Sequence, residues 1–269
     1  MISVIMGVYN AEKTVLRAAE SILVEQEELE LILIDDASTD GTPDVLGALK
    51  ERDARVLLLR NDQNRGLAYS LNAGLHVARG EFIARMDADD FSHAGRLAAQ
   101  KKFLEENPSY AFVGSAANLA EQGKIYGRRS FPAAPDEKEL IRRCPFIHPS
   151  LMFRAEALKR VGGYRDAKFT CRCEDYDLYF RLYKQKLIGY NIRDALIDYE
   201  EKRGDASKHT AKTRLNEFKV RVKGSLSLGK PLGALIAFRC LLLMVMPKKM
   251  YIKLKNKKAE KVADADNQV

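Results

Sequence analysis

Glu81-Phe82-Ile83-Ala84-Arg85-Met86-Asp87-Ala88-Asp89-Asp90 is the stretch on which the fold turns. The apolar run Phe82-Ile83-Ala84 suits a buried strand, so the acids fall where that strand ends and a loop begins. Three carboxylates within four positions repel one another unless a cation or a hydrogen-bond network compensates. A hard divalent ion, Mg²⁺ or Mn²⁺, takes oxygen ligands and commonly bridges carboxylates to substrate phosphates. A solvated acidic turn with an aspartate capping the next helix is the competing reading.

Upstream, Ser3 to Val8, Leu29 to Ile34 and Arg55 to Leu59 read as further strands. Val15, Leu16, Ala19, Ile22 and Leu23 recur at helical spacing between the first two. Thr42-Pro43 marks a helix start after the second, with Thr42 as N-cap, and Leu67 to Ala78 forms a helix closed by Gly80. Strand and helix alternating at this spacing predict a mostly parallel α/β sheet flanked by helices. Ligands in such sheets sit at the carboxyl ends of the strands. Tyr9-Asn10, Asp35-Asp36 and Asp87-Ala88-Asp89 all fall there. Neither GxGxxG nor GxxxxGK[ST] is present, which argues against a dinucleotide fold and a P-loop. The phosphates of a bound nucleotide would then be neutralised by a metal on the acids.

Four segments together carry a resemblance: Ser3-Val4-Ile5-Met6-Gly7-Val8-Tyr9-Asn10; Leu33 to Thr42, including Asp35-Asp36-Ala37-Ser38; Asn64-Arg65-Gly66-Leu67-Ala68 with Leu71-Asn72-Ala73-Gly74; and Ala78 to Asp90. Their order and spacing resemble the motif series of family 2 glycosyltransferases of GT-A fold, over roughly residues 1 to 200. The resemblance implies transfer of a sugar from a nucleotide diphosphate donor, usually a UDP-sugar, with inversion and with help from Mn²⁺ or Mg²⁺. It implies that Tyr9 and Asp36 meet the nucleobase, with Asp36 accepting from the uracil N3–H. Val8, Asn10, Asn64, Gly66 and Ala88 line the donor, Asp87 lies near ribose or metal, and Asp89 is the main metal ligand.

Further on, Arg96 to Leu104 reads as a helix ending near Asn107-Pro108, and Tyr110 to Ser115 as a strand. Residues 116 to 147 look less regular, with strand pieces and a short helix around Asp136 to Arg143. His148-Pro149-Ser150 with Gly162-Gly163-Tyr164 is similar to a family stretch that precedes the catalytic acid. His148 is a candidate to line the acceptor site or approach the metal, or else a structural hydrogen-bonding histidine. Glu174-Asp175 opens a helix and is similar to the family's ED motif, which implies Asp175 as the base, with Glu174 the second choice. Capping of the helix is the plainer role for Asp175. Arg203 can fold over the diphosphate, or belong to a surface charge cluster.

The chain has 269 residues, 46% of them hydrophobic and 30% charged, as in an ordinary soluble protein. Met1 runs directly into an apolar strand, so no signal peptide is expected, and the four cysteines lack metal-ligand spacing. The net charge of +8 is uneven: seven lysines follow Pro247, directly after the apolar segment Leu232 to Met246. That segment is too short to span a bilayer and fits a helix lying on an anionic membrane surface; a helix packed on the core is the alternative.

The expected organisation is a GT-A domain over residues 1–207, with a nucleotide-binding half to about 115 and an acceptor half from about 116. Residues 208–269 follow as helices and basic tail. The expected activity is sugar transfer to a saccharide acceptor, lipid-linked by analogy, in surface-polysaccharide assembly on the cytosolic membrane face. A non-catalytic sugar-nucleotide-binding scaffold and a sugar-phosphate nucleotidyltransferase are the alternatives. The latter normally carries a Gly-rich basic loop, which Val8-Tyr9-Asn10 does not resemble. No nucleic-acid recognition motif accompanies the lysines.

Overall fold

A computed structural model describes residues 1–202 and 210–244. The N-terminal half alternates as read: β1 Ile2–Val8, α1 Val15–Leu23, β2 Leu29–Asp35, α2 Thr42–Arg52, β3 Val56–Arg60, α3 Leu67–Val77 and β4 Phe82–Arg85. Then follow β5 Phe91–Ser92, α4 Arg96–Glu106, β6 Tyr110–Glu121, β7 Lys124–Arg129, α5 Glu137–Arg142, β8 Met152–Arg154, α6 Ala155–Val161, α7 Glu174–Lys184, β9 Ile188–Glu200, α8 Ala211–Ser227 and α9 Gly233–Met244.

β1 and β2 are apolar along almost their whole length because both faces of the sheet are covered. Their side chains alternate between two cores. Val4, Met6, Leu31 and Leu33 pack with Val15 and Ile22 of α1, Leu46 of α2 and Leu97 of α4. Ile5, Ile32 and Ile34 pack on the other face with Leu71 of α3, Leu158 of α6 and Tyr179 of α7. The result is a layer of strands between two layers of helices.

The strand order is β3-β2-β1-β4-β8-β6-β9-β5, with β7 on β6. β1 to β4 are mutually parallel where they pair, and β6 pairs parallel with β9. β8 is antiparallel to both β4 and β6, and β5 and β7 are antiparallel to their partners. The sheet is therefore parallel in its N-terminal half and mixed beyond it.

Two sequence readings need correction. Gly41, not Thr42, is the N-cap of α2; the Asp40 carboxylate takes the Thr42 N–H, which draws Thr42 into the helix, and its hydroxyl instead accepts from Ala11 N at 2.8 Å. Residues 116–129 are also more regular than they looked. β6 continues to Glu121 and turns into β7 through Gln122 and Gly123, both in the left-handed region, as a two-residue hairpin requires. The division expected at residue 207 lies outside the described residues. α8 and α9 pack against α7 and α5: Phe180 leaves no room for a Cβ at Gly224, and Ile141 crowds Gly233.

Candidate active site

The carboxyl ends of β1, β2 and β4 lie side by side in register, which brings three polar loops together. Asn10, after β1, takes a positive φ of 49° and is locked to the loop after β2: its N–H donates to Ser38 Oγ (3.0 Å) and its Oδ1 accepts from Thr39 N (2.9 Å). Val8 O accepts from Asp36 N at 2.8 Å. Tyr9 stands beside them with its ring 49% exposed.

Asp36 is buried and already engaged. Its Oδ1 accepts from Asn61 Nδ2 (2.7 Å) and Arg65 N (2.8 Å), and its Oδ2 accepts from Gly66 N (2.8 Å). It thereby fixes the loop that carries exposed Asn64 and starts α3 at Gly66, where φ of 87° suits glycine. A carboxylate offers about four acceptor positions, so room for one more donor remains on Oδ2.

In the loop after β4, Asp87, Asp89 and Asp90 each present an oxygen within 4.8 Å of the others. Asp90 is the innermost: Oδ1 accepts from Glu200 N at 2.8 Å, while Oδ2 is buried with no hydrogen-bond partner. Burial, and then the charges of Asp87 and Asp89, hold the Asp90 carboxyl well above the usual carboxylate range. Ala88 is buried between them.

Arg85, at the end of β4, is a site residue that sequence reasoning missed. Its guanidinium is 3% exposed, ion-pairs with Asp87 through Nη2, and leaves Nε and Nη1 without hydrogen-bond partners. A charged residue closing an apolar run, directly before the acids, was the available signal. Arg96 braces the same loop from α4. Its Nη2 donates to Arg85 O (2.7 Å) and its Nε to Gln100 Oε1 (3.1 Å), while Gln100 reaches Ser150 O (2.6 Å) and Val113 O (3.2 Å). Burial pulls the Arg96 guanidinium down to about 10. Tyr199 of β9 lies near the acids, and Arg129 of β7 packs on it. The Arg129 guanidinium lies 5.3 Å over the Tyr199 ring and 2.6 Å from Glu201, and the Tyr199 hydroxyl feels the charges of Asp87 and Asp90.

The acceptor-side candidates come from another part of the sheet. His148 opens a short 3₁₀ turn, His148–Ser150, and its Nε2 lies 2.8 Å from the Tyr164 hydroxyl. Burial and the nearby Arg85 charge hold the imidazole well below its ordinary value, so it is neutral. Burial also raises the Tyr164 phenol, which stays protonated and shares a hydrogen bond with the His148 imidazole. His148 is not a member of the acid cluster.

Glu174 and Asp175 occupy the first turn of α7, both half-buried. Asp175 Oδ1 accepts from Tyr176 N (2.8 Å), and the Cys144 thiol lies 3.7 Å from Oδ2. Burial raises the Asp175 carboxyl above its ordinary value, opposed by the Tyr176 N–H and the Arg85 charge. Glu174 is pushed up to about 7, by burial first and then by Asp175. The third acid of that turn, Asp177, is neutralised by Arg181 (2.7 Å) and Arg165 (3.5 Å) and belongs to the framework. Arg203 lies outside the described residues.

The mixed α/β sheet flanked by helices, with three carboxylates gathered at a strand end, is the architecture of the GT-A glycosyltransferases. The chain belongs to glycosyl transferase family 2, whose model matches residues 3–162. It is 40% identical over 205 residues to EpsE of Bacillus subtilis (strain 168), a glycosyltransferase by name, covering 74% of this chain and 73% of EpsE. It is 25% identical over 227 residues to WfaP of Escherichia coli, covering 84% of each chain. WfaP is named as a UDP-Glc:α-D-GlcNAc-diphosphoundecaprenol β-1,3-glucosyltransferase. The structure of S. aureus TarS residues 1–349 in complex with UDP-GlcNAc superposes with a TM-score of 0.68 at 18% identity, over 88% of this chain and 73% of that one. This chain is a glycosyltransferase.

Proposed function

We propose that this glycosyltransferase is inverting and metal-dependent, and moves a sugar from a UDP-sugar to a lipid-linked saccharide acceptor during cell-surface polysaccharide assembly, as a peripheral protein on the cytosolic membrane face. The observation that carries the reading is one buried guanidinium, Arg85, shared by two acid groups. It ion-pairs with Asp87 of the strand-end cluster and its charge reaches Glu174 and Asp175 of the facing helix. The names of WfaP and of the TarS complex support a UDP-sugar donor, and that of WfaP supports an acceptor on a lipid diphosphate.

The acid cluster fits Mn²⁺ or Mg²⁺. Three hard oxygens converge within 4.8 Å, and the buried Asp90 Oδ2 has no hydrogen-bond donor to satisfy it. Asp89 and Asp87 would hold the ion, which when bound supplies positive charge against the departing diphosphate. Asp36 and Tyr9 bind the nucleobase, and Val8, Asn10, Asn64, Gly66 and Ala88 shape the donor groove.

Asp175 takes the acceptor hydroxyl proton. The freed oxygen bonds to the anomeric carbon as the bond from that carbon to the diphosphate breaks, and the electron pair leaves with UDP. Burial supports this role because it strengthens the proton affinity of Asp175, while the Tyr176 N–H at the α7 N-terminus and the Arg85 charge favour its ionised form. His148, neutral and tied to Tyr164, lines the acceptor side.

The test is UDP release from a panel of UDP-sugars with Mn²⁺, with Mg²⁺ and with EDTA. Slow hydrolysis of one donor, abolished by EDTA, supports the donor and metal assignments. Binding of a UDP-sugar with no cleavage under any condition, lipid-linked acceptors included, favours a scaffold instead.

A further inference from the structure

α9 is built inside out. Its small residues face the protein: Ala237 and Cys240 are buried, and Gly233 sits against Ile141 and Ser225. Its large apolar residues face outward, with Leu235 63%, Phe238 52% and Leu242 69% exposed, and Ile236 half-exposed beside them. Leu232, 78% exposed, and Leu226 extend the apolar surface to the turn between α8 and α9. A surface helix ordinarily shows the opposite pattern. Twelve residues make a helix of about 18 Å against a hydrocarbon core of about 30 Å. Among the described residues no helix is long and apolar enough to cross a membrane.

We propose that the outward face of α9 docks on an anionic bilayer, lying in the plane of the interface, and fixes the height of the catalytic helix above it. This rests on the membrane-face reading above and names the surface that serves it. The occupant is argued from charge. The sequence after α9 carries seven lysines between Lys248 and Lys261, so cationic side chains follow directly on the apolar face, as anionic headgroups require. Arg239, exposed on the same helix, can lay its stem on the apolar surface with its charge at headgroup level.

The connection to the site runs through α8. Asn216 Nδ2 donates to Lys168 O (3.2 Å) and Cys171 O (3.1 Å) in the loop that leads into α7. Arg221 Nη1 donates to Ile141 O (3.0 Å) and Arg142 O (2.9 Å) while its guanidinium covers the Tyr176 ring at 5.1 Å. Gly224 lies flat on Phe180 of α7. α7, which begins with Glu174 and Asp175, is thus braced against the docking helix.

The chain contains no tryptophan, so Leu235→Trp places a single reporter on the face. With phosphatidylcholine vesicles containing phosphatidylglycerol its emission should move to the blue and be quenched by brominated lipid; phosphatidylcholine alone should do much less. Leu235→Glu with Leu242→Glu should weaken vesicle partitioning at least about tenfold and leave UDP-sugar hydrolysis in lipid-free solution unchanged. A reporter that stays in water on anionic vesicles, or a double variant that binds as wild type does, overturns the proposal. So does a dimer in light scattering that the double variant breaks while wild type ignores vesicles, since a second copy would then cover the face. Hydrolysis in lipid-free solution reads the donor chemistry separately, so docking and the enzymatic reading can fail independently.

Discussion

Two groups of acids in this molecule solve the same electrostatic problem differently. Asp87, Asp89 and Asp90 crowd at a strand end, where Arg85 ion-pairs with one of them, and burial and then its acidic neighbours hold the Asp90 carboxyl above the usual carboxylate range. Glu174 and Asp175 stand at a helix N-terminus, where the dipole and backbone N–H groups favour charge and burial opposes it. The first arrangement is a set of oxygens short of a cation. The second is a pair of carboxyls held near the point of exchanging a proton. A site that must accept a diphosphate and also remove a proton needs one of each.

The comparison breaks first at Asp175. Asp175→Asn should lower kcat by about 10²–10⁴-fold while donor binding, followed by calorimetry with the UDP-sugar, is kept. Equal loss of donor binding would move Asp175 out of the proton-transfer role. Asp89→Ala should cost about 10²–10³-fold and remove the dependence on Mn²⁺, and its defect should appear in donor affinity as well as in turnover. If both variants give the same kinetic pattern, the division between the two acid groups is wrong.

Arg85→Met tests the link between them. Methionine keeps the buried volume and removes the charge that opposes protonation of Asp175. Since the base must be ionised, wild-type activity rises with pH through the raised Asp175 pKa. In the variant that acid limb should move to higher pH, read from kcat against pH. An unmoved limb would make Arg85 purely a donor-side residue. The smallest effect is expected at Gly224→Ala, where a methyl group meets Phe180. It should destabilise by about 1–3 kcal/mol, seen as a lower Tm, with UDP affinity unchanged, because α8 braces only the acceptor side.

The N-terminal half was legible because its signals are local. β1 and β2 are largely apolar runs, and the turns that end them carry their own polar residues. The C-terminal half depends on pairings between distant segments. Nothing within Phe91-Ser92 announces that it will pair with Ile197 and Asp198, and nothing in residues 116–129 declares the length of β6. The members of the site missed from sequence were missed for a related reason. Arg85, Arg96 and Arg129 look like surface residues until packing shows where their guanidinium groups end. His148 was read as an acceptor-side candidate, and its partner, Tyr164, became evident only in three dimensions.

The hydrogen bond from Glu200 N to Asp90 joins residues 110 positions apart, and the contact between His93 and Asp198 spans 105. On a ribosome, β1 to β4 emerge and can pair long before β9 exists. The acid loop therefore waits, its innermost carboxyl without a partner, until about three quarters of the chain has been made. Closure over so long a loop is a slow step in folding, and it falls at the donor site. A nascent or truncated chain ending before Ile188 carries Asp87, Asp89 and Asp90 in its sequence and lacks the strand whose last residue holds Asp90 in place.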